Sequence, residues 1–190
     1  TLLIAKKFPN TKIVTKKFTS FGRLRNEAAL LAKHEWILSI DSDEVLSPSL
    51  QQEILSLNLR NPRCIYALKR ENYYQGKKVS CCGWNSELRV RLYCRLTTGF
   101  HSLLVHESVN EKNYKKIVLK NPLYHTPFFS QKDFLEKMQL YSELFSEQYQ
   151  GRDIFLIEAI LKAGWSFFKS YFWKKGVFHG GTGWTISLYN

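Results

Sequence analysis

The fold of this chain is decided by Trp36-Ile37-Leu38-Ser39-Ile40-Asp41-Ser42-Asp43-Glu44. The first five residues are mostly apolar and too few for a helix, so they predict a strand that is buried on both faces of a parallel sheet. Three of the next four residues are acidic. Because ligands bind beyond the carboxyl ends of strands in open α/β sheets, the pattern predicts an acidic site at the end of a central strand.

The residues before this segment predict a strand followed by a helix. Residues 12–15 (Lys-Ile-Val-Thr) are typical of a short strand, and Thr19 or Ser20 can cap the helix that follows. Together with the strand at residues 36–40, this order indicates an α/β fold. The inward face of the helix is predicted to carry Leu24, Ala28 and Leu31.

The segment after the acidic residues predicts a helix and two strands. Ser47 is placed to cap the helix and Pro48 to occupy its first position, with a buried stripe further on. Residues 64–69 and 87–95 are typical of strands, with a turn between them at residues 75–78. The buried stripe is Leu50, Ile54 and Leu57; in the second strand Leu88, Val90, Leu92 and Cys94 face one side, and Arg89, Arg91, Tyr93 and Arg95 the other.

The last third of the chain predicts helices that are rich in aromatic residues. Ser130 and Asp133 fit a capping box at the start of one helix, and an aromatic and basic helix begins near residue 152. We therefore divide the chain into an α/β part, residues 1–128, and a helical extension, residues 129–190. The first of these helices carries Phe134, Met138, Tyr141 and Phe145 on one face, and the chain closes with Gly180-Gly181-Thr182-Gly183.

The composition bounds the partners and the compartment. The 190 residues include 28 Lys and Arg against 16 Asp and Glu, and this formal charge of +12 attracts nucleotides, nucleic acid or anionic membranes. The four cysteines lack the paired spacing of a zinc site, so we expect reduced thiols in the cytoplasm. A basic and apolar leader is not found, and charge interrupts every long apolar stretch, which argues against a signal peptide and a membrane span.

The acidic segment offers ligands for a hard divalent cation. Asp41 and Asp43 are separated by one residue at a strand end, so both carboxylates can project towards one cleft. Oxygen ligands of this kind suit Mg²⁺ or Mn²⁺ rather than zinc, and such an ion can neutralise a leaving diphosphate. The alternative is a solvated acidic turn that caps the next helix. The buried strand before the acids and the helix after them favour the metal site.

Several segments in this order resemble the family 2 glycosyltransferases. The first two are residues 21–29 (Phe-Gly-Arg-Leu-Arg-Asn-Glu-Ala-Ala) and residues 35–44, an Arg-Asn helix and a Trp-bearing strand that ends in Asp-x-Asp-Glu. The branch that the chain resembles most is the lipopolysaccharide core biosynthesis glucosyltransferase-like group, and the resemblance covers nearly the whole chain. Further matching segments are residues 66–76, Arg91-Leu92-Tyr93, Val105-His106-Glu107, Leu123-Tyr124-His125 and residues 171–183.

This resemblance implies a fold and an activity. It implies a GT-A-like mixed sheet flanked by helices, a partial catalytic domain at residues 1–128 and C-terminal helices at 129–190. It also implies that the first nucleotide-binding strands of the family are missing before residue 1. The activity implied is metal-dependent, inverting transfer of a sugar from a nucleotide-sugar to a glycan or lipid-linked acceptor, in lipopolysaccharide or cell-envelope polysaccharide biosynthesis.

The resemblance also implies roles for individual residues. Asp41 would approach the ribose or diphosphate, Asp43 would ligate the metal with Asp41, and Glu44 would support the catalytic site. Arg25 would hold the nucleotide, although an exposed helix arginine is an equal alternative. Arg91 could reach phosphate or acceptor, although a basic strand face is more often only solvated.

Two later residues complete the predicted site. An inverting transferase needs a base for the acceptor hydroxyl, and Glu107 is our choice because the resembling family has a His-Glu pair in this region. Residues 103–105 before it could form a strand that leads to the cleft. The alternative is a surface acid at a strand end. His125 is a candidate third metal ligand, although a lone histidine is more often a packing or hydrogen-bonding residue.

Two other classes of function remain open. One is a non-catalytic basic module that binds nucleic acid or anionic lipid, but it leaves the acidic segment unexplained, and no RNA-recognition or finger signature is present. The other is an inactive remnant of a transferase. We expect no nucleic-acid partner. The lysines and aromatic rings of residues 162–175 have the composition of an interfacial helix, which predicts a peripheral position on the inner face of the plasma membrane. The equal alternative is a helix that packs on the catalytic body and keeps its lysines in water.

Overall fold

A computed structural model of the protein describes residues 2–102, 107–128, 130–148 and 155–189, apart from the side chains of residues 131, 141 and 144–148. The helices are α1 (Leu2–Ala5), α2 (Phe21–Leu30), α3 (Pro48–Leu55), α4 (Gln131–Gln148), α5 (Leu156–Phe168) and α6 (Gly180–Tyr189), with a π-helical turn at Lys169–Trp173 and a 3₁₀ turn at Gly176–His179. The strands are β1 (Trp36–Leu38), β2 (Glu44–Leu46), β3 (Cys64–Tyr74), β4 (Lys77–Lys78), β5 (Glu87–Cys94) and β6 (Lys115–His125).

The strands form one mixed sheet in the order β1-β5-β3-β6-β2, with β4 paired to β3. Strands β3 and β6 run parallel, and the other pairs are antiparallel. The mixed α/β architecture is therefore as predicted. The turn predicted at residues 75–78 is shorter than expected: Gln75 and Gly76, both with positive φ, connect β3 to β4, and Lys77–Lys78 form β4 itself.

The predicted position of β1 is wrong. Among the described residues β1 pairs only with β5, antiparallel, with Trp36 opposite Cys94 and Leu38 opposite Leu92. Its three residues are half-buried, so it is an edge strand and not a central strand of a parallel sheet. A short apolar run is found both in central strands and in edge strands, because an edge strand with one packed face also needs apolar residues.

The sheet has an apolar cluster on each face. Leu50 of α3 packs against Leu68, Leu92 and Leu123 on one face. Side chains alternate along β3, so Ile65 lies on the other face, where it packs with Phe100 and Val109. Because α3 covers one face and the segment around Phe100 covers the other, the sheet is buried on both sides over its centre.

A β-bulge at Arg91 interrupts the alternation that the sequence predicts for β5. Tyr66 pairs with Leu92 and the next residue, Ala67, pairs with Val90, so Arg91 is the extra residue on β5. Val90 and Tyr93 consequently pack in the same cluster, although their positions differ by an odd number. The predicted separation into an apolar and a basic face is therefore wrong at this point, since a bulge reverses the side-chain direction.

The helix caps agree with the sequence in detail. Ser20 Oγ accepts a hydrogen bond from the Arg23 N–H at 3.2 Å, and Ser47 Oγ accepts one from the Leu50 N–H at 3.1 Å. The predicted capping box of α4 is also present, since Ser130 and Asp133 each accept a bond from the backbone N–H of the other.

The prediction for the segment around α2 is partly wrong. Residues 12–15 form no strand and are exposed, because no described strand offers them hydrogen-bond partners. In α2 the buried residues are Gly22 and Ala29, whereas Ala28 and Leu31 of the predicted inward face are exposed. These two side chains line a cavity of about 470 Å³ between α2 and residues 12–16.

The C-terminal residues pack on the sheet through small side chains. The glycine-rich segment lies within α6, where a Cβ on Gly183 would come within 1.9 Å of the Gly176 carbonyl oxygen. Ser170 Oγ donates to Ser187 Oγ at 3.1 Å, and Cys82 Sγ lies 3.3 Å from the same oxygen. The four cysteines are buried, and no disulfide joins them. Across the described parts of the chain, the search for a helix long and apolar enough to cross a membrane finds none.

In α4 only part of the predicted apolar face lies within the described side chains. Phe134 is buried, whereas Met138 is partly exposed. The side chains of Tyr141 and Phe145 lie outside the described residues, and so does the strand predicted at residues 103–105. The division at residue 128 stays a prediction.

Candidate functional site

Arg25 joins three segments that the sequence singled out. It projects from α2, and its Nη1 atom donates to Ser39 Oγ at 3.0 Å while Nη2 donates to Asp41 Oδ1. Its Nε and Nη2 atoms also donate to Glu107 Oε1 at 3.1 and 3.0 Å. The Phe100 ring lies 5.2 Å from the guanidinium carbon. Arg25 is thus a partly buried connector between α2, the end of β1 and Glu107, and not the exposed helix arginine of the alternative interpretation.

Arg91 makes the second connection to the acidic segment. From the bulge of β5 its Nη2 atom donates to Asp41 Oδ2 at 2.7 Å and to Glu44 Oε1. The Arg91 backbone carbonyl accepts the Ser39 N–H at 2.8 Å, which holds the end of β1 against the bulge. One carboxylate oxygen of Asp41 therefore accepts a hydrogen bond from Arg25, and the other accepts one from Arg91. We call Arg25, Asp41, Glu44, Arg91 and Glu107 the arginine cluster.

Glu44 is the least accessible member of the arginine cluster. Its carboxylate has no exposed surface. It accepts from Arg91, from Arg70 Nη1 at 3.4 Å and from the Asp41 N–H at 3.1 Å. A buried carboxylate needs such partners, because an unpaired charge away from water costs several kcal/mol, about 3–5 when one partner of a pair is removed. Glu44 thus ties the acidic turn to β3 and β5.

The charges in the arginine cluster keep Asp41 ionised. Burial by itself raises the pKa of the Asp41 carboxyl, but Arg91 and Arg25 outweigh burial, so the pKa is lowered. Burial likewise acts to lower the pKa of Arg25, yet Asp41 and then Glu107 raise it overall. The result is a set of fixed charges in a partly buried environment.

Asp43 belongs to a different group of side chains. Its Oδ2 atom lies 3.1 Å from Lys137 Nζ, which comes from α4, and 3.7 Å from His125 Nε2 at the end of β6. Burial acts to raise the pKa of Asp43, but the contacts with His125 and Lys137 outweigh it and the pKa lies well below its usual range. We call Asp43, His125 and Lys137 the Asp43 cluster.

Pairing of β2 with β6 brings His125 to the acidic segment. Glu44 lies opposite His125, and the Thr126 N–H donates to the Asp43 carbonyl at 2.9 Å. On the neighbouring strand β3, Asn72 Oδ1 lies 2.6 Å from His125 Nδ1 and leaves Nε2 directed to Asp43. Such a partner fixes the orientation of a histidine ring, as is common beside metal ligands.

The residues around Asp43 fit a divalent cation that is shared with a ligand. Among the described residues no group of three or more His, Cys, Asp and Glu is arranged to hold a metal ion alone. Mg²⁺, however, commonly takes only one or two protein carboxylates together with substrate phosphates and water. Asp43 and His125 could supply two ligands. Asp41 could join them only if it released an arginine, because both of its oxygens already accept hydrogen bonds.

Three residues of the site were missed by the sequence analysis. Arg70 lies in β3 and binds Glu87 as well as Glu44. Asn72 follows on the same strand, and Lys137 reaches Asp43 from 94 residues further along the chain. Parallel pairing of β3 with β6 and the docking of α4 bring them together, and neither is visible as a motif. His106, the neighbour of Glu107, lies outside the described residues.

An aromatic cleft of about 490 Å³ adjoins the Asp43 cluster. The rings of Tyr73 and Tyr124 meet edge to face with centroids 5.5 Å apart. Phe128 forms another wall, and its ring lies 5.3 Å from Lys137 Nζ. The cleft thus combines apolar ring faces with hydroxyls and a nearby cation. Its lining is Val45, Tyr73, Gln75, Gly76, Tyr124, Thr126 and Phe128.

Comparison with known proteins finds distant relatives. No family model matches the chain. An uncharacterized glycosyltransferase of Rickettsia typhi is 25% identical over 193 residues, which covers 93% of this chain and 65% of the relative. An uncharacterized glycosyltransferase of Rickettsia bellii is 24% identical over 210 residues, covering 99% and 68%. The chain therefore spans about two thirds of the length of these curated relatives. Neither relative's name specifies a donor, an acceptor or a branch of glycosyltransferases.

Proposed function

We propose that this chain is part of a glycosyltransferase that moves a sugar from a nucleotide-sugar to a glycan or lipid-linked acceptor. The similarity to two proteins named as glycosyltransferases supports the reaction class. The observation that carries the proposal is the acidic segment itself. Asp41 and Asp43 follow one strand end, yet Asp41 is held by Arg25 and Arg91 whereas Asp43 pairs with Lys137. A leaving diphosphate needs such an arrangement of carboxylate, cation and basic side chains.

The diphosphate would be bound by the more accessible cations. Arg91 is 5% exposed and already satisfies Asp41 and Glu44, so its role is to hold the acidic turn. Lys137 is about two fifths exposed beside Asp43, and Arg25 has its guanidinium between Asp41 and Glu107. We therefore assign the phosphate contacts to Lys137 and Arg25, and assign Arg91 a positioning role.

Mn²⁺ or Mg²⁺ would be held by Asp43, with His125 as a second ligand and phosphate oxygens completing the set. Bound there, the ion supplies charge stabilisation for the leaving diphosphate. Asp43 remains ionised because its pKa is lowered, so it is ready to bind a cation at neutral pH. Lys137 competes for the same carboxylate oxygen and would turn towards phosphate when the ion binds.

Glu107 is the proposed base of the transfer step. In an inverting displacement the acceptor hydroxyl oxygen forms a bond to the anomeric carbon while the bond to the diphosphate oxygen breaks, and the hydroxyl proton passes to a carboxylate. Arg25 donates twice to Glu107 Oε1, which fixes the carboxylate and leaves Oε2 for the proton. Glu44 has no exposed carboxylate surface, so we assign it to support of the catalytic site.

The aromatic cleft is the proposed binding place for an acceptor sugar. A pyranose ring has an apolar C–H face that packs on aromatic rings and hydroxyl edges that take hydrogen bonds. Tyr73, Tyr124 and Phe128 offer the first kind of contact, and Thr126 offers the second next to Asp43. This position brings an acceptor to the cluster that would hold the donor diphosphate.

The finer assignment rests on the order of motifs in the chain. We propose a member of the GT-A-like family 2 enzymes, in the lipopolysaccharide core branch, that acts in cell-envelope polysaccharide biosynthesis on the cytoplasmic side of the plasma membrane. The Asp-x-Asp-Glu segment after a Trp-bearing strand supports the family, and four buried cysteines that no disulfide joins support a reducing compartment.

Calorimetric titration of nucleotide-sugars into the full protein tests the proposal. We expect binding that requires Mn²⁺ or Mg²⁺ and that Asp43→Ala abolishes. Glu111→Gln is a matched control, because Glu111 pairs with Lys116 at an exposed site remote from the acidic segment in sequence. Equal affinity with and without the cation would remove the metal role. Absence of any nucleotide-sugar binding would favour the basic binding module or the inactive remnant.

A further inference from the structure

The C-terminal unit, residues 155–189, exposes an unusually apolar surface. We name six of its side chains the apolar ridge, and between 47% and 74% of each is exposed. Four of them occupy α5 at intervals of four, four and three residues, so they share one face of the helix. The other two follow in the π-helical turn. The ridge consists of Ile157, Leu161, Trp165, Phe168, Phe172 and Trp173.

A polar stripe runs beside the apolar ridge on α5. Glu158, Lys162, Ser166 and Lys169 repeat the same spacing one residue later, which places them along one edge of the ridge. Lys162 pairs with Glu158. The whole unit has four lysines and this single acidic residue. The ridge therefore has a cationic margin.

The opposite side of the C-terminal unit is anchored to the body of the protein. Ile186 and Ser187 of α6 are fully buried, and Ile186 packs in a cluster with Cys81 and Cys82. The Cys82 N–H donates to the Lys174 carbonyl at 2.9 Å. Phe167 turns inward, with its ring 5.2 Å from Trp184 of α6. Since α6 supplies the packed side, the ridge side chains on α5 stay between 47% and 70% exposed, whereas Phe172 of the π-helical turn meets the Tyr171 ring.

We propose that the apolar ridge docks on an anionic lipid surface. A helix with aromatic and aliphatic side chains on one side and lysines along the margin lies in the headgroup region. Its apolar side chains are then buried in the bilayer, and its ammonium groups lie at phosphate depth. Tryptophan is favoured at this interface because its ring is amphipathic. The proposed contact is with the surface of the bilayer. None of the described helices is long and apolar enough to cross a membrane.

The lysines at the margin of the ridge favour a lipid surface over a second copy of the chain as its partner. Two copies that met through this face would bring together margins that carry Lys162 and Lys169 with one glutamate each, on units that each hold four lysines. Anionic headgroups instead complement the margin. The inference does not rest on sugar transfer, because docking is measured without donor or acceptor.

Co-sedimentation of the full protein with vesicles tests the docking. We expect binding to phosphatidylglycerol vesicles that weakens as salt rises from about 0.05 to 0.5 M, because lysine attraction is screened, and weaker binding to phosphatidylcholine. Leu161→Ser with Trp173→Ser should weaken binding by roughly 10²-fold, since each removed side chain contributes about tenfold. Lys162→Gln with Lys169→Gln should reduce the salt dependence.

A control variant and a mass measurement distinguish lipid docking from self-association of the chain. Leu55→Ser removes an equally exposed leucine at the end of α3 and should leave vesicle binding unchanged. Circular dichroism melting confirms that each variant is folded. Unchanged vesicle binding by the folded Leu161→Ser and Trp173→Ser double variant overturns the proposal. So does a dimer in light scattering that this variant converts to monomer without any vesicle binding by either form.

Discussion

The Nη2 atom of Arg91 lies 2.7 Å from Oδ2 of Asp41, and this ion pair connects the bulge of β5 to the acidic turn after β1. The same nitrogen donates to the buried carboxylate of Glu44. A single arginine thus pairs with two carboxylates that are three residues apart. It does so because the bulge directs a side chain from the middle of a strand into the site.

Removal of Arg91 should destabilise the protein. Arg91→Gln leaves Asp41 and Glu44 without their shared partner, and breaking a buried ion pair costs about 3–5 kcal/mol. We expect the midpoint of urea unfolding to fall accordingly. Arg89→Gln, on the same strand with a more exposed side chain, should cost less than about 1 kcal/mol. Equal losses for the two variants would contradict the anchoring role of Arg91.

Glu107→Gln should separate binding from chemistry. Glutamine keeps an Oε1 atom to accept from Arg25 but cannot accept the acceptor proton. We expect donor affinity within twofold of the original and a kcat reduced by roughly 10²-fold or more. Calorimetry and steady-state turnover measure the two quantities. Undiminished turnover would place the base elsewhere, and Glu87, partly exposed beside Arg70, would be tested next.

Lys137→Met should weaken donor binding through lost charge. Lys137 is an accessible cation beside Asp43, and one cation near a diphosphate contributes about 1–2 kcal/mol, or roughly tenfold in affinity. The loss should be larger at low salt. Lys132→Met is the control, because Lys132 on the same helix pairs only with the exposed Glu136 in the described structure. Equal effects of the two substitutions would show a general charge effect instead.

Tyr124→Ala should act on the acceptor and not on the donor. Loss of one wall of the aromatic cleft removes ring contact of about 1–2 kcal/mol, so the KM for acceptor should rise roughly tenfold while donor affinity is kept. Tyr124→Phe retains the ring and should behave like the original protein. A change in donor affinity alone would move the acceptor site away from this cleft.

Glu53 should make stability depend on pH. Burial raises the pKa of its carboxyl, but the Lys120 and Asn121 N–H groups that donate to it at 2.8 and 3.0 Å together outweigh burial and lower the pKa from 4.5. A lowered folded pKa stabilises the protein above pH 4.5, and this contribution is lost as the pH falls through the folded pKa. Glu53→Gln should therefore cost about 1 kcal/mol at pH 7, after allowance for partial exposure. The difference should shrink in acid unfolding curves below pH 4.5; a constant difference would contradict this.

Local structure could be read from the sequence where adjacent residues determine it. Ser20, Ser47 and the Ser130-Asp133 pair cap helices because each cap bonds within three residues of itself. The turn at Gln75-Gly76 and the strands at β3 and β5 are equally local. The acidic segment could be found in the same way, since its residues are neighbours in the chain, and its place at the centre of the site stays a prediction.

Strand order and side-chain partners came only from the tertiary structure. A strand of Trp, Ile and Leu can lie at the edge of a sheet or at its centre. Its sequence therefore does not determine that β1 pairs with β5 alone among the described strands. The bulge at Arg91 depends on how β5 meets β3. Asp41 and Asp43 were assigned to one metal site because they are adjacent, yet Arg25 and Arg91 hold the first while His125 and Lys137 contact the second. Sequence spacing determines which residues lie near one another along the backbone, whereas the partners of a charged side chain are decided by distant segments that packing brings within hydrogen-bond distance.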